Sequence, residues 1–344
     1  MRAIIGGILL SVLLGCGLAL ADAGRVGEIR ERLSSANQWR DHVMVVAHRA
    51  GGLQARKSRF PENSRAALAD AISIGAEMVE IDVQKSSDGT YVVVHDTWLD
   101  RTTNCRGEVA DRTLAELRTC QLVVEGTSIP TDEAVPTLAE YLEAARGRIM
   151  VNIDNKLAPD DLVGMTQLAE RLGLADHLVV KLNLWNEERI AEAHRLIGLM
   201  PRGVIFMPIV ADDAVRDPGL LERVTSTVSA DAVELIAWHK DGQPMTPDGG
   251  PLFGTRARAV AVRGGWHLWV NTYGIVNKSA GMLAGGRGDQ LAVEADLPGE
   301  AFGFWVDRGA TIIQTDEPGE AIRWLDANGY RRPYAAGTQQ AAAR

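Results

Sequence analysis

Val43-Met44-Val45-Val46-Ala47-His48-Arg49 and, further on, Met78-Val79-Glu80-Ile81-Asp82-Val83 decide how this chain reads. Each is a short run of mostly β-branched, apolar residues that ends in, or is interrupted by, polar groups. A strand with one wet face alternates polar and apolar residues, whereas one covered on both faces does not. The same texture returns at residues 149–153, 178–182, 204–207, 232–237, 268–271 and 311–314. Helical stretches lie between most of these runs. Residues 64–74 read as a helix with Asn63 or Ser64 as N-cap and Gly75 as its stop, and residues 139–145, 160–172 and 186–199 follow. Such alternation predicts an α/β fold, a (β/α)8 TIM barrel. An open doubly wound sheet is the weaker reading, because no G-x-G-x-x-G follows the first strand.

A further strand candidate at 91–94 is separated from residues 78–83 only by a short stretch containing Ser87-Asp88-Gly89. That is too short for a parallel crossover, so the pair reads as a hairpin whose second arm lies at the barrel rim. Eight barrel strands then remain. Two connections are long: an inserted segment at about 99–137, after the third strand, and a link at 272–309, before the last strand. The link carries Gly285-Gly286-Arg287-Gly288-Asp289. Connections of this length are usually functional loops or lids. Residues 241–254, rich in Gly and Pro, read as a surface loop. A first helix near 26–39 is expected to cap the barrel bottom.

The chain has 344 residues, of which 46% are hydrophobic and 24% charged. That suits a globular protein and excludes a disordered or fibrous one. A net charge of −9 gives no electrostatic reason to bind nucleic acid. Arg2, an apolar run and Ala19-Leu20-Ala21 form the three-part pattern of a signal peptide over residues 1–21. The implied location is secreted or periplasmic. A buried N-terminal helix and a lipoprotein signal acylated at Cys16 are the competing readings; against the latter, the apolar stretch continues past Cys16. No other stretch is apolar for long enough to span a membrane. Residues 22–334 would form the barrel domain, and 335–344 a disordered tail. Cys105 and Cys120 could pair as a disulfide in an oxidising compartment or remain two thiols.

Polar groups gather at the ends of the first strands, where a barrel places its active site. Glu80 and Asp82, two apart on a strand, project from one face. Asp154 and Lys156 repeat that geometry on another strand. Carboxylates held this close repel one another unless a cation lies between them. Glu80, Asp82 and Asp154, with no cysteine beside them, point to a hard ion, Ca²⁺ or Mg²⁺. A histidine side chain can give and take protons near neutral pH, and His48 and His95 are placed to do so. Arg49 can grip phosphate oxygens through paired hydrogen bonds, and Lys156 adds a positive charge. Together these groups suit phosphodiester cleavage. His42, His177, His194, His239 and His267 lack such neighbours and read as packed histidines.

His48-Arg49-Ala50-Gly51-Gly52, Pro61-Glu62-Asn63-Ser64, Glu80-Ile81-Asp82-Val83, Ser87-Asp88-Gly89, Val94-His95-Asp96 and Leu99-Asp100-Arg101-Thr102-Thr103 follow in an order that resembles the glycerophosphodiester phosphodiesterases. Trp269-Val270-Asn271 and Ile312-Ile313-Gln314-Thr315-Asp316-Glu317-Pro318 resemble that family's last two strands. The resemblance implies a TIM-barrel hydrolase that splits small-molecule glycerophosphodiesters into glycerol 3-phosphate and an alcohol. It implies His48 and His95 as the acid–base pair and Arg49 as phosphate binder. Glu80, Asp82 and a fourth-strand carboxylate would hold Ca²⁺ or Mg²⁺. Glu62 would line the site, and Trp269 would flank the substrate. Three departures stand out. Asp154 lies where the family usually has Glu. The run Val180-Lys181-Leu182-Asn183 lacks the usual Ser-Phe. The stretch 274–309 is longer than the typical link. A phospholipase-type enzyme acting on lipid or lysolipid, and a non-catalytic phosphate-ester binding barrel, are the alternative functions. The sequence does not fix the oligomeric state.

Overall fold

The computed structural model describes residues 24–51, 53–54, 57–124, 126–240, 242–274 and 283–335. The expected signal peptide, Cys16 and the tail beyond Ala335 lie outside the described residues. Eight parallel strands form the barrel: β1 (Met44–Ala47), β2 (Met78–Lys85), β3 (Met150–Asn155), β4 (Leu178–Asn183), β5 (Ile205–Ala211), β6 (Ala232–Ile236), β7 (His267–Asn271) and β8 (Ala310–Thr315). Each pairs with the next in chain order, and β1 pairs with both β8 (Val46↔Gln314) and β2 (Val46↔Met78), which closes the ring. The expected hairpin arm, Tyr91–Val93, lies antiparallel on β2, with Val83 opposite Val93.

Helices cover the outside. After α1 (Gly24–Ser34) come α2 (Arg65–Ser73), α3 (Leu138–Ala145), α4 (Asp161–Arg171), α5 (Glu187–Ile197), α6 (Pro218–Thr227), α7 (Thr255–Gly264) and α8 (Pro318–Ala327). Ser64 is the N-cap of α2, its hydroxyl accepting the Ala67 N–H at 3.0 Å. Gly75 follows that helix at φ +86°, a left-handed conformation that glycine adopts without steric cost. Strand residues that face outward, such as Val45, Ile81 and Ile153, pack under these helices. This burial on both faces is why the strands do not alternate.

Inward-facing residues fill the barrel in layers. Val26, Ile29 and Leu33 of α1 pack against Met44, Met78, Met150 and Met207, so α1 plugs the N-terminal end. The segment after the hairpin has its own small core, with Leu99, Val109, Leu117, Leu122 and Val135 fully or nearly buried. Cys105 and Cys120 form a disulfide there, next to a small antiparallel sheet of Gln121–Val123 and Pro130–Ala134. The described part of the link before β8 folds into short helical turns at Ala284–Gly286, Gln290–Glu294 and Gly299–Gly303. Among the described residues, no helix is long and apolar enough to cross a membrane.

Candidate active site

The inward positions at the C-terminal ends of the strands are polar. One oxygen from each of Glu80, Asp82 and Asp154 lies within 4.8 Å of the others. Strands β2 and β3 achieve this by register, since Glu80 pairs with Asn152 and Asp82 with Asp154. Asp154, one methylene shorter than a glutamate, still reaches the other two. The donor set is all carboxylate oxygen, which suits a hard divalent cation. Burial and the charge of Asp82 push the Glu80 carboxyl above its usual range. A cation between the two carboxylates would relieve that repulsion, so these residues fit such an ion.

Two lysines already lie against the trio. The Lys156 ammonium is 2.6 Å from Asp154 and 3.0 Å from Asp82. Burial works against the Asp82 charge, but Lys156, His95 and Arg49 outweigh it and hold its carboxyl far below the ordinary range. Lys181 of β4, buried, is 3.2 Å from Glu234 of β6 and 3.6 Å from Glu80. Asn271 of β7 donates to Glu234 at 2.6 Å. An apolar interior tolerates such charges only when they are paired.

His48 follows β1 in a tight turn. Its Nδ1 is 2.8 Å from the Asp316 carboxylate, beyond the end of β8, and Tyr273 stacks on its ring at 3.7 Å. Its Nε2 points toward Glu80, 3.9 Å away. Burial opposes protonation, but Asp316 wins and raises the His48 pKa above its ordinary value. The next two residues, Arg49 and Ala50, both adopt positive φ, at 51° and 68°. Such a turn is strained for residues with a Cβ, and strain of this kind concentrates at working sites. The turn sends the Arg49 side chain into the barrel mouth, 3.0 Å from Glu62 and 3.6 Å from Asp82, while its backbone N–H donates to Glu80.

His95 is built the same way. Its Nδ1 is 2.6 Å from the neighbouring Asp96. Arg101 grips Asp96 and, through two bonds of 2.8 and 2.7 Å, Glu62. Glu62 therefore ties both arginines together within the wall of the site. Asn63, at φ 60°, exchanges two hydrogen bonds with Asp82.

The structure thus gathers His48, Arg49, Glu62, Glu80, Asp82, His95, Asp154 and Lys156 at one mouth. Trp269 is placed differently. It is fully buried in the barrel interior, and its indole N–H donates to Asn271 at 2.9 Å. It supports the site from below and does not border the opening. Its position on β7, two residues before Asn271, puts it one layer deeper. Five supporting groups escaped the sequence reading: Asp96, Lys181, Glu234, Asp289 and Asp316. Asp289 ends the glycine-rich run of the link and accepts from the Thr315 hydroxyl and the Asp316 N–H, both at 2.8 Å. Burial and the Asp316 charge push its carboxyl up to about 7. Lys181 and Glu234 had a signal, being charges inside otherwise apolar strand runs. Asp96 adjoins His95, and Asp316 ends the last strand.

An eight-stranded parallel barrel with two histidines, an arginine and a carboxylate trio converging at its C-terminal mouth has the layout of the TIM-barrel enzymes. Residues 48–197 match the glycerophosphoryl diester phosphodiesterase family, and residues 206–325 match a domain of unknown function. The chain is 31% identical over 175 residues to a glycerophosphodiester phosphodiesterase of Bacillus altitudinis, a match covering 48% of this chain and 67% of that one. It is 38% identical over 115 residues to one from Caldanaerobacter subterraneus, covering 33% of this chain and 45% of the relative. A crystal structure of a glycerophosphoryl diester phosphodiesterase from Parabacteroides distasonis superposes with a TM-score of 0.64 at 18% identity, over 92% of this chain and 95% of that one. The chain belongs to the glycerophosphodiester phosphodiesterase family.

Proposed function

We propose that the protein hydrolyses glycerophosphodiesters to glycerol 3-phosphate and an alcohol, using His48 and His95 as acid and base. The observation that carries this reading is the pair of histidines, each with Nδ1 held by an aspartate, flanking one carboxylate trio and one buried arginine. A carboxylate only accepts, so Nδ1 carries a proton and Nε2 is the working atom in both rings. One Nε2 takes the proton from the attacking oxygen, either of water or of the glycerol 2-hydroxyl, as that oxygen bonds to phosphorus; in the second case water then opens the cyclic phosphate to glycerol 3-phosphate. The other delivers a proton to the alcohol oxygen as the P–O bond breaks. Arg49 orients the phosphate oxygens, and Lys156 balances their charge. Glu80, Asp82 and Asp154 would hold Ca²⁺ or Mg²⁺, which when bound neutralises charge developing on the phosphate. The Cys105–Cys120 disulfide supports a secreted or periplasmic location, because such bonds persist in oxidising compartments.

The test is hydrolysis of glycerophosphocholine by the purified protein. Release of glycerol 3-phosphate is expected to stop with EDTA and to return with Ca²⁺ or Mg²⁺. Release that EDTA leaves untouched would reject the metal assignment. No release of glycerol 3-phosphate with either ion would reject the reaction.

A further inference from the structure

Each carboxylate of the trio already has a lysine ammonium no farther than 3.6 Å away. The two carboxylates on Lys156, Asp82 and Asp154, both belong to the trio. Lys181 differs. It lies 3.6 Å from Glu80, inside the trio, and 3.2 Å from Glu234, outside it. Lys181 and Glu234 are both buried, so each needs an opposite charge beside it. Glu234 is fixed in place. Its second oxygen accepts from the Asn271 amide at 2.6 Å, and the Asn271 carbonyl oxygen accepts from the Trp269 indole at 2.9 Å. Lys181 is a compact charge on a flexible four-carbon stem, which can follow either carboxylate. Leaving Glu80 would not strand its charge in the apolar interior, because Glu234 retains it.

We propose that Lys181 competes with a divalent cation for Glu80, and that Glu234 receives Lys181 when the cation wins. The Lys181–Glu234 pair then sets how tightly the trio holds Ca²⁺ or Mg²⁺. This competition presupposes the cation assigned to the trio, but not the diester reaction. Two positive charges beside one carboxylate repel, so a lysine that could not withdraw would exclude the ion. Without any lysine there, Glu80 and Glu234 would be uncompensated buried carboxylates, and the ion would bind more tightly. The pair lies between those limits, a resident cation that lowers the affinity of the trio without abolishing it. Trp269 gains a role as well: through Asn271 it holds Glu234 ready for Lys181.

The experiment is a calorimetric titration of the EDTA-dialysed protein with CaCl₂ and with MgCl₂, without substrate. It compares the wild type, Lys181→Met, Glu234→Gln and the double variant. Lys181→Met should tighten binding by roughly 10- to 100-fold, and Glu234→Gln should weaken it by roughly 5- to 20-fold. A general loosening of the site would weaken both. In the Lys181→Met background, the loss caused by Glu234→Gln should shrink to about 3-fold or less, because Glu234 acts through Lys181. The same loss with and without Lys181 would make Glu234 a distant charge and overturn the handover. Unchanged or weaker binding by Lys181→Met would overturn the competition while leaving the metal assignment standing. If Lys181→Met does not fold, the double variant, which removes both charges of the pair together, replaces it. It must bind more tightly than Glu234→Gln; equal or weaker binding overturns the competition. No binding by any of these proteins removes the metal assignment and the competition with it.

Discussion

At the closed end of the barrel, Glu77 is fully buried and accepts from Arg331 at 2.9 Å and from the Val45 N–H at 2.8 Å. Arg25 donates to the carbonyls of Arg148, Gly75 and Ala76, and Arg32 to those of Arg332 and Pro333. At the open end, Glu80, Asp82, Lys181 and Glu234 are buried and Asp154 and Lys156 half-buried, and their partners are one another. Glu80 and Glu234 share Lys181, and Asp82 and Asp154 share Lys156. The histidines differ in the same way. His42 and His267, at the closed end, are pushed down to about 4, chiefly by burial. His48 is as buried, yet Asp316 reverses the sign. Charge bonded to backbone carbonyls is fixed in place. Charge shared among side chains can be redistributed when a charged ligand arrives.

Breaking the open end should cost turnover and little stability. His48→Ala or His95→Ala is expected to cut kcat by roughly 10²- to 10⁴-fold, the range for general acid–base groups, with cooperative unfolding retained. Near-normal kcat in both variants would remove them from the chemistry. Breaking the closed end should do the opposite. Arg331→Met leaves Glu77 buried against an apolar chain, and loss of one partner of a buried pair costs about 3–5 kcal/mol. Urea unfolding should show that loss while kcat at 25 °C holds; a fall in kcat with intact stability would show that the ends are coupled.

Acid should separate the ends more gently. His42 and His267 have folded pKa values below those of the unfolded chain, so the unfolded state binds more protons between about pH 6.5 and 4. Their contribution is whole above about pH 6.5 and shrinks as pH falls, by up to about 1.4 kcal/mol per unit for each histidine. Below about pH 4 the loss is complete. Unfolding free energies flat across that window would mean that these rings are protonated in the fold.

The barrel was legible because its strands are covered on both faces, which leaves runs such as Val43 to Ala47 with no alternation to confuse with a surface strand. The hairpin was legible from Ser87-Asp88-Gly89, a turn too short for a crossover. The carboxylate cluster was legible because residues two apart on a strand must share a face, as Glu80 and Asp82 do on β2. What stayed hidden depends on contacts between distant strands. Nothing near His48 announces Asp316, 268 residues away. Lys181 and Glu234 each look like an isolated charge until β4 and β6 bring them together. Trp269 was assigned to the substrate because a motif names a position, not a depth. The i, i+2 rule counts layers only once one residue in the strand has been anchored.

The His48–Asp316 contact also bears on how the protein is made. His48 directly follows the first strand to leave a ribosome, and Asp316, the carboxylate that holds its Nδ1, directly follows the last. Asp289, in the preceding link, accepts the Asp316 backbone N–H and so holds the chain where that carboxylate stands. No nascent chain can form the His48–Asp316 contact before β8 is synthesised and docks between β7 and β1. Chains halted within the link would carry every residue of the carboxylate trio and both histidines, yet leave His48 without its brace. Completion of the ring and completion of the His48–Asp316 contact are the same event.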